Sequence, residues 1–128
     1  MNWNLLGLVM AGGAVGAAGR HLIGGWVLRH MGNDMPWGTL SVNLLGSLAA
    51  GFLFAWLENR GPSALYWRAF LIVGVLGALT TYSALMLECL LYTRTGRSGP
   101  LFGYLALTLV GGFALVWIGA RLGDILRG

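Results

Sequence analysis

The residues able to do chemistry in this chain are few, and they sit among apolar neighbours. Arg20 lies in the first apolar stretch, Asn43 and Ser47 in the second, Thr80, Thr81, Ser83 and Glu88 in the third, and Tyr104 and Thr108 in the fourth. Asn43 and Ser47 are one helical turn apart, as are Tyr104 and Thr108, so each pair shares a helix face. Most of the set is an amide, a phenol and hydroxyls: neutral donors without acid–base partners. The apolar stretches hold no Ser-His-Asp set, no paired carboxylates and no metal cluster, so catalysis is not expected. Donors of this kind are suited to replacing the water around an anion. A lone Ser or Thr can bond back to its own helix. Asn43 and Arg20 cannot be satisfied in that way, and at membrane depth they must face other polar groups or a water-filled path.

A second signal lies in the third stretch, at Gly74-Val75-Leu76-Gly77-Ala78-Leu79-Thr80-Thr81-Tyr82-Ser83. Here two glycines and then a run of hydroxyls interrupt an otherwise continuous apolar helix. Non-helical backbone survives at membrane depth only where protein, an ion or a water-filled path satisfies its freed amides and carbonyls. The interruption is therefore expected to mark the working site, with carbonyls for a cation and donors for an anion.

The elements that must position these groups follow from composition. Of the 128 residues 57% are hydrophobic, 9% are charged and 22 are glycine, and the mean hydropathy is +0.74. A soluble domain of this size would leave too much apolar surface against water. Stretches near Leu5 to Leu28, Trp37 to Leu57, Trp67 to Tyr92 and Leu101 to Leu126 are each long enough to span a bilayer core, which takes roughly 20 residues. The first is read as a permanent span, because it lacks the basic start and small-residue cleavage site of a signal peptide. Trp3, Trp26, Trp37, Trp56, Trp67, Tyr92 and Trp117 fall mostly near the ends, where interfacial aromatic belts belong. The connections are too short to fold separately, so residues 1–128 are read as a single all-α transmembrane domain of four helices, broken in the third. The spacings Gly12-Gly13-Ala14-Val15-Gly16 and Gly119-Ala120-Arg121-Leu122-Gly123 are read as close helix packing. Neither has the lysine or the strand context of a nucleotide loop.

Charge bears on assembly. All eight basic residues are arginine. With both termini on one side, that side carries Arg60, Arg68, Arg121 and Arg127, and the other carries Arg29, Arg94 and Arg97. So small a bias leaves two arrangements open on charge alone: an antiparallel homodimer of oppositely inserted copies, or a weakly biased chain that inserts in one orientation. The net charge of +4 flanks membrane segments, where it meets lipid headgroups, and nucleic acid is not an expected partner. Cys89 is alone, and His21 and His30 lack ligand spacing, so neither a disulfide nor a cysteine or histidine metal site is expected.

Three groups of residues together carry a resemblance. Gly12-Gly13-x-x-Gly16-x-x-x-Arg20, then Trp37-Gly38-Thr39-Leu40-x-Val42-Asn43-Leu44-x-Gly46, then Gly77-Ala78-Leu79-Thr80-Thr81-Tyr82-Ser83 with Glu88, resemble the Fluc/CrcB fluoride channels in order and spacing over nearly the whole chain. The resemblance implies a bacterial inner-membrane, multi-pass channel that exports fluoride, built as an antiparallel dual-topology homodimer with two pores. It implies a structural sodium ion at the dimer centre, held by main-chain carbonyls that map to Gly77 and Thr80. It makes Asn43 the pore asparagine and Arg20 the first-span arginine, and it puts Tyr104 and Thr108 on a hydroxyl track of the fourth helix. The fluoride path then runs along Asn43, Tyr82, Ser83, the Leu85 position, Tyr104 and Thr108, with Arg20 and Glu88 as electrostatic or structural groups.

One departure stands out. The family usually has Thr-Thr-Phe-Ser-Thr-Phe, whose ring edges meet the anion, whereas this chain has Thr80-Thr81-Tyr82-Ser83-Ala84-Leu85. Tyr82 keeps an aromatic edge and Leu85 supplies none. A heterodimer whose partner supplies the missing rings is the other assembly this allows. Two further classes share the helix count: a small dual-topology drug–proton antiporter, which needs a first-helix carboxylate that is absent here, and a scaffold subunit, which explains the glycines but not Asn43.

Overall fold

The structure, a computed structural model, describes residues 2–32 and 34–128. Among these residues every regular element is helical. In order they are α1 (Trp3–Met31), α2 (Trp37–Trp56), a short α3 (Ala64–Trp67) that runs into a π-helical stretch (Arg68–Leu76), a single turn α4 (Gly77–Leu79), α5 (Tyr82–Arg94) and α6 (Ser98–Arg127). Four spans are long and apolar enough to cross a bilayer: α1, α2, the composite Ala64–Arg94, and α6. The protein is a multi-pass, all-α membrane protein.

The helices overrun the apolar stretches seen in the sequence by at most three residues at an end, while α2 stops one residue short. Local capping explains this. Asn2 Oδ1 accepts from Asn4 N at 3.0 Å and Leu5 N at 3.2 Å, so α1 starts before its apolar run. Pro100 sits in the first turn of α6, where its missing N–H leaves no bond unmade, so that helix begins at Ser98. Gly32 (φ 84°) and Gly96 (φ 71°) end α1 and follow α5 in backbone conformations that suit glycine.

Packing rests on small residues, as their spacing predicts. A Cβ on Gly12 would run into the backbone of Phe70, Gly74 and Val75, and one on Gly16 would meet Val75 and Ala78, so α1 lies directly on the π-helical stretch. Gly51, Gly119 and Gly123 do the same where α2 lies on α6. The interior has two apolar clusters. Val42, Leu76 and Leu79 form one, and Leu40, Leu85, Tyr92 and Tyr104 form the other. Leu76 and Leu79 precede the interruption while Leu85 and Tyr92 follow it, so α2 holds the two halves of the third span separately. Asn43 follows Val42 directly and lies about one turn beyond Leu40, the two α2 residues in these clusters. Outward-facing Trp3, Phe113, Trp117 and their neighbours expose large apolar surfaces, as a protein solvated by hydrocarbon does.

Candidate ion-pathway site

The interruption is narrower than the glycines suggest. Gly74 and Gly77 are helical, and Gly74 is where α1 crosses closely. The chain leaves the helix only at Thr80 (φ −83°, ψ 155°) and Thr81 (φ −148°, ψ 120°). Two consecutive β-branched residues favour extended backbone. Each hydroxyl then bonds locally. Thr80 Oγ1 donates to Leu76 O at 2.9 Å, and Thr81 Oγ1 accepts from Ala84 N at 3.2 Å, capping α5.

Asn43 completes the break from the neighbouring helix. Its Nδ2 donates to Thr81 O at 3.1 Å, and its Oδ1 accepts from Thr81 N at 2.8 Å. In an unbroken helix the Thr81 amide would bond Gly77 O and the Ala84 amide would bond Thr80 O. The first goes instead to Asn43 and the second to Thr81 Oγ1. Gly77 O and Thr80 O have both lost their helical donors. Gly46 makes room for this arrangement, since a Cβ there would collide with Thr80 Cγ2.

A groove of about 380 Å³ opens beside the break, lined by Asn43, Ser47, Gly77, Thr80, Thr81, Tyr82, Leu85 and Thr108 among others. Tyr82 is 75% exposed, and Ser83 is exposed just beyond it. Leu85 borders the groove but is buried with Leu40, Tyr92 and Tyr104, so the residue that replaces a ring serves the core. Thr108 Oγ1 donates to Tyr104 O at 2.9 Å. A second cavity of about 330 Å³, on which Arg20, His21, Thr39, Val42 and Ala84 border, also reaches Thr81. Arg20 is exposed there. Thr81 thus separates an arginine-bordered cavity from the groove.

Tyr104 and Glu88 form a unit behind the groove. Tyr104 is fully buried, and its hydroxyl donates to Glu88 Oε2 at 2.5 Å, while Thr39 Oγ1 donates to Glu88 Oε1 at 2.5 Å. Among the described residues no cluster of His, Cys, Asp or Glu could hold a metal ion. The oxygens set free here belong to main-chain carbonyls.

Sequence reasoning found Asn43, the break and Thr81 as a polar group within it, but gave no role to Thr39 or Gly46 and did not pair Asn43 with Thr81. The available signal was the run Thr39, Asn43, Ser47, in which one polar residue recurs every turn on one face of α2. Ser47 Oγ bonds back to Asn43 O at 2.7 Å, whereas Thr39 and Asn43 reach across to the third span.

Residues 7–120 match the family model described as CrcB-like protein, Camphor Resistance (CrcB). The chain is similar to a protein named Fluoride-specific ion channel FluC from Xanthomonas axonopodis pv. citri, at 55% identity over 124 residues, covering 97% of this chain and 93% of that one. It is similar to another of that name from Xylella fastidiosa, at 51% over 121 residues, covering 94% and 85%. A third, from Caulobacter vibrioides, is 42% identical over 117 residues, covering 91% and 92%. With the match running through every span and the relatives aligned along most of their own length, the chain belongs to the CrcB-like family.

Proposed function

We propose that this protein is a fluoride-selective channel of the bacterial inner membrane, through which cytoplasmic fluoride leaves passively, and that it works as an antiparallel dual-topology homodimer. The names of its relatives support fluoride as the ion. The observation that carries the mechanism furthest is the groove: polar groups on Asn43, Thr80, Thr81, Tyr82 and Thr108 line the open side of a single membrane-spanning chain. Such groups cannot be left to lipid. A second copy of this chain, inserted the other way, would cover them.

Fluoride is small and strongly hydrated, so a lining that passes it must replace its shell with closely spaced donors. Asn43 Nδ2 has a second N–H beyond the one given to Thr81 O. Tyr82 adds a ring edge and a phenol, Ser83 adds a hydroxyl, and Thr108 continues the track on α6. Leu85 narrows the path without supplying a donor. Tyr104 reaches an anion only when its bond to Glu88 opens. Arg20 raises the positive potential at the mouth of its cavity. A narrow lining of this kind excludes chloride by size.

We assign Gly77 O and Thr80 O to a structural sodium ion between the two copies. They are hard, neutral oxygens without their helical donors, which is the ligand type such a cation takes. Bound there, the ion would supply a fixed positive charge beside the carbonyls of Gly77 and Thr80.

Growth tests the reading. Expression in a bacterium stripped of its own fluoride exporter should restore growth in fluoride medium, and the Asn43→Ala variant at equal membrane abundance should not. Equal growth with and without the chain would count against it.

A further inference from the structure

A cavity separate from the groove lies between the α1–α2 connection and the turn joining α5 to α6. It has a volume of about 220 Å³ and is bordered by Asp34, Pro36, Glu88, Tyr92, Thr95 and Arg97, with apolar neighbours. Tyr92 is 5% exposed, and its hydroxyl is buried without a hydrogen-bond partner. A hydroxyl stranded in this way implies something that the protein does not itself provide, such as water or an ion. Nothing in the packing requires the group, since a phenylalanine ring would fill the same space.

The second observation is the cation beside it. The Arg97 guanidinium stands 5.1 Å from the centre of the Tyr92 ring and gives one bond, from Nη2 to Asp34 O at 3.3 Å. It makes no ion pair among the described residues. The Asp34 carboxylate that could have neutralised it accepts from Trp37 Nε1 at 3.2 Å. Most of the five guanidinium donors are therefore available. The cavity also has direction. Thr95 and Arg97 stand at the loop end of the third span and Glu88 deeper, and from 88 to 95 the helix rises about 10 Å. At the inner end Glu88 gathers the hydroxyls of Thr39 and Tyr104, the next donors inward.

We infer that this cavity is an aqueous port through which fluoride enters or leaves the Glu88 end of the pathway, with the Tyr92 hydroxyl and the Arg97 guanidinium as its anion-binding groups. The inference rests on the channel reading above. Arg97 concentrates anions at the loop surface, Tyr92 replaces part of the hydration shell, and the ion moves on as the Thr39 and Tyr104 hydroxyls turn from the Glu88 carboxylate to meet it. In an antiparallel pair each membrane face has one such port.

The test uses full-length chain reconstituted in fluoride-loaded vesicles, comparing wild type with Tyr92→Phe and Arg97→Gln, together with thermal denaturation of each. Tyr92→Phe should slow efflux about three- to tenfold, the factor one hydrogen bond is worth, while its denaturation midpoint holds or rises because a stranded hydroxyl has been removed. Arg97→Gln should slow efflux most at low ionic strength, with the difference shrinking as salt is added. Wild-type rates in both variants would overturn the port and leave the channel reading intact. Slower efflux with a lowered midpoint in Tyr92→Phe would make Tyr92 a packing residue and overturn it as well. Silence from the unsubstituted chain would remove the channel reading and this inference with it.

Discussion

Asn43 and Thr81 bond each other twice, amide to carbonyl at 3.1 Å and backbone N–H to side-chain oxygen at 2.8 Å. A side chain on α2 thereby stands in for a missing stretch of backbone pairing in the third span. The bonds that Thr81 makes here are the ones that free the carbonyls of Gly77 and Thr80. The break is held open by its neighbours.

Asn43→Ala removes both bonds and strands a backbone N–H and C=O inside the membrane. The cost is about 2 to 4 kcal/mol at one to two per group, read as a lower denaturation midpoint in detergent, together with loss of fluoride flux. Asn43→Asp keeps an acceptor for Thr81 N but has no donor for Thr81 O. It should recover part of the stability and none of the flux, because it puts a negative charge on the proposed anion path.

Gly46→Ala places a methyl group against Thr80 Cγ2. Overpacking of this kind costs about 1 to 3 kcal/mol. Thr80→Ser removes that methyl and keeps the hydroxyl that donates to Leu76 O. The double variant should therefore be more stable than Gly46→Ala alone, with a coupling measured by a double-mutant cycle. Additive effects would mean that Gly46 does not seat Thr80.

Glu88 takes a hydrogen bond from Thr39 and another from Tyr104. Tyr104→Phe and Thr39→Val each leave a carboxylate oxygen less satisfied in a low-dielectric setting, and each should lower stability by about 1.5 to 3 kcal/mol. On a Glu88→Ala background both effects should fall away, because the acceptor they serve is gone. Denaturation midpoints across the cycle measure this.

The proposed sodium site between two copies predicts that sodium stabilises the pair by mass action. Exchange of sodium for N-methylglucamine is expected to lower the denaturation midpoint and favour dissociation of the pair. The shift should shrink in Thr81→Pro. That variant lacks the Thr81 amide that Asn43 accepts and the Thr81 hydroxyl that caps Ala84 N.

Much of this was legible in the sequence because a bilayer makes polarity conspicuous. Four apolar stretches marked the spans, and an asparagine that cannot bond to its own helix had to bond elsewhere, as it does with Thr81. The spacing of Gly12 and Gly16, and of Gly119 and Gly123, read correctly as close approach because a missing Cβ has a single steric meaning there. The π-helical run Arg68–Leu76 was not legible. Its residues are ordinary helix formers, and their hydrogen-bond register depends on what lies opposite. For the same reason the break, expected over the glycines and the hydroxyls that follow them, is confined to Thr80 and Thr81: Gly74 belongs to a helix crossing that only the tertiary structure reveals. Burial of Leu85 and Tyr104 was equally hidden, since a leucine facing a pore and one facing the core have the same composition.

Efflux from vesicles containing this chain alone tests the central claim most directly. Liposomes are loaded with fluoride or with chloride, a potassium ionophore is added to carry the counter-charge, and an ion-selective electrode follows release. A fluoride-selective homodimeric channel predicts rapid fluoride release and retention of chloride. Release of both ions alike, or of neither from folded dimeric protein, would contradict it.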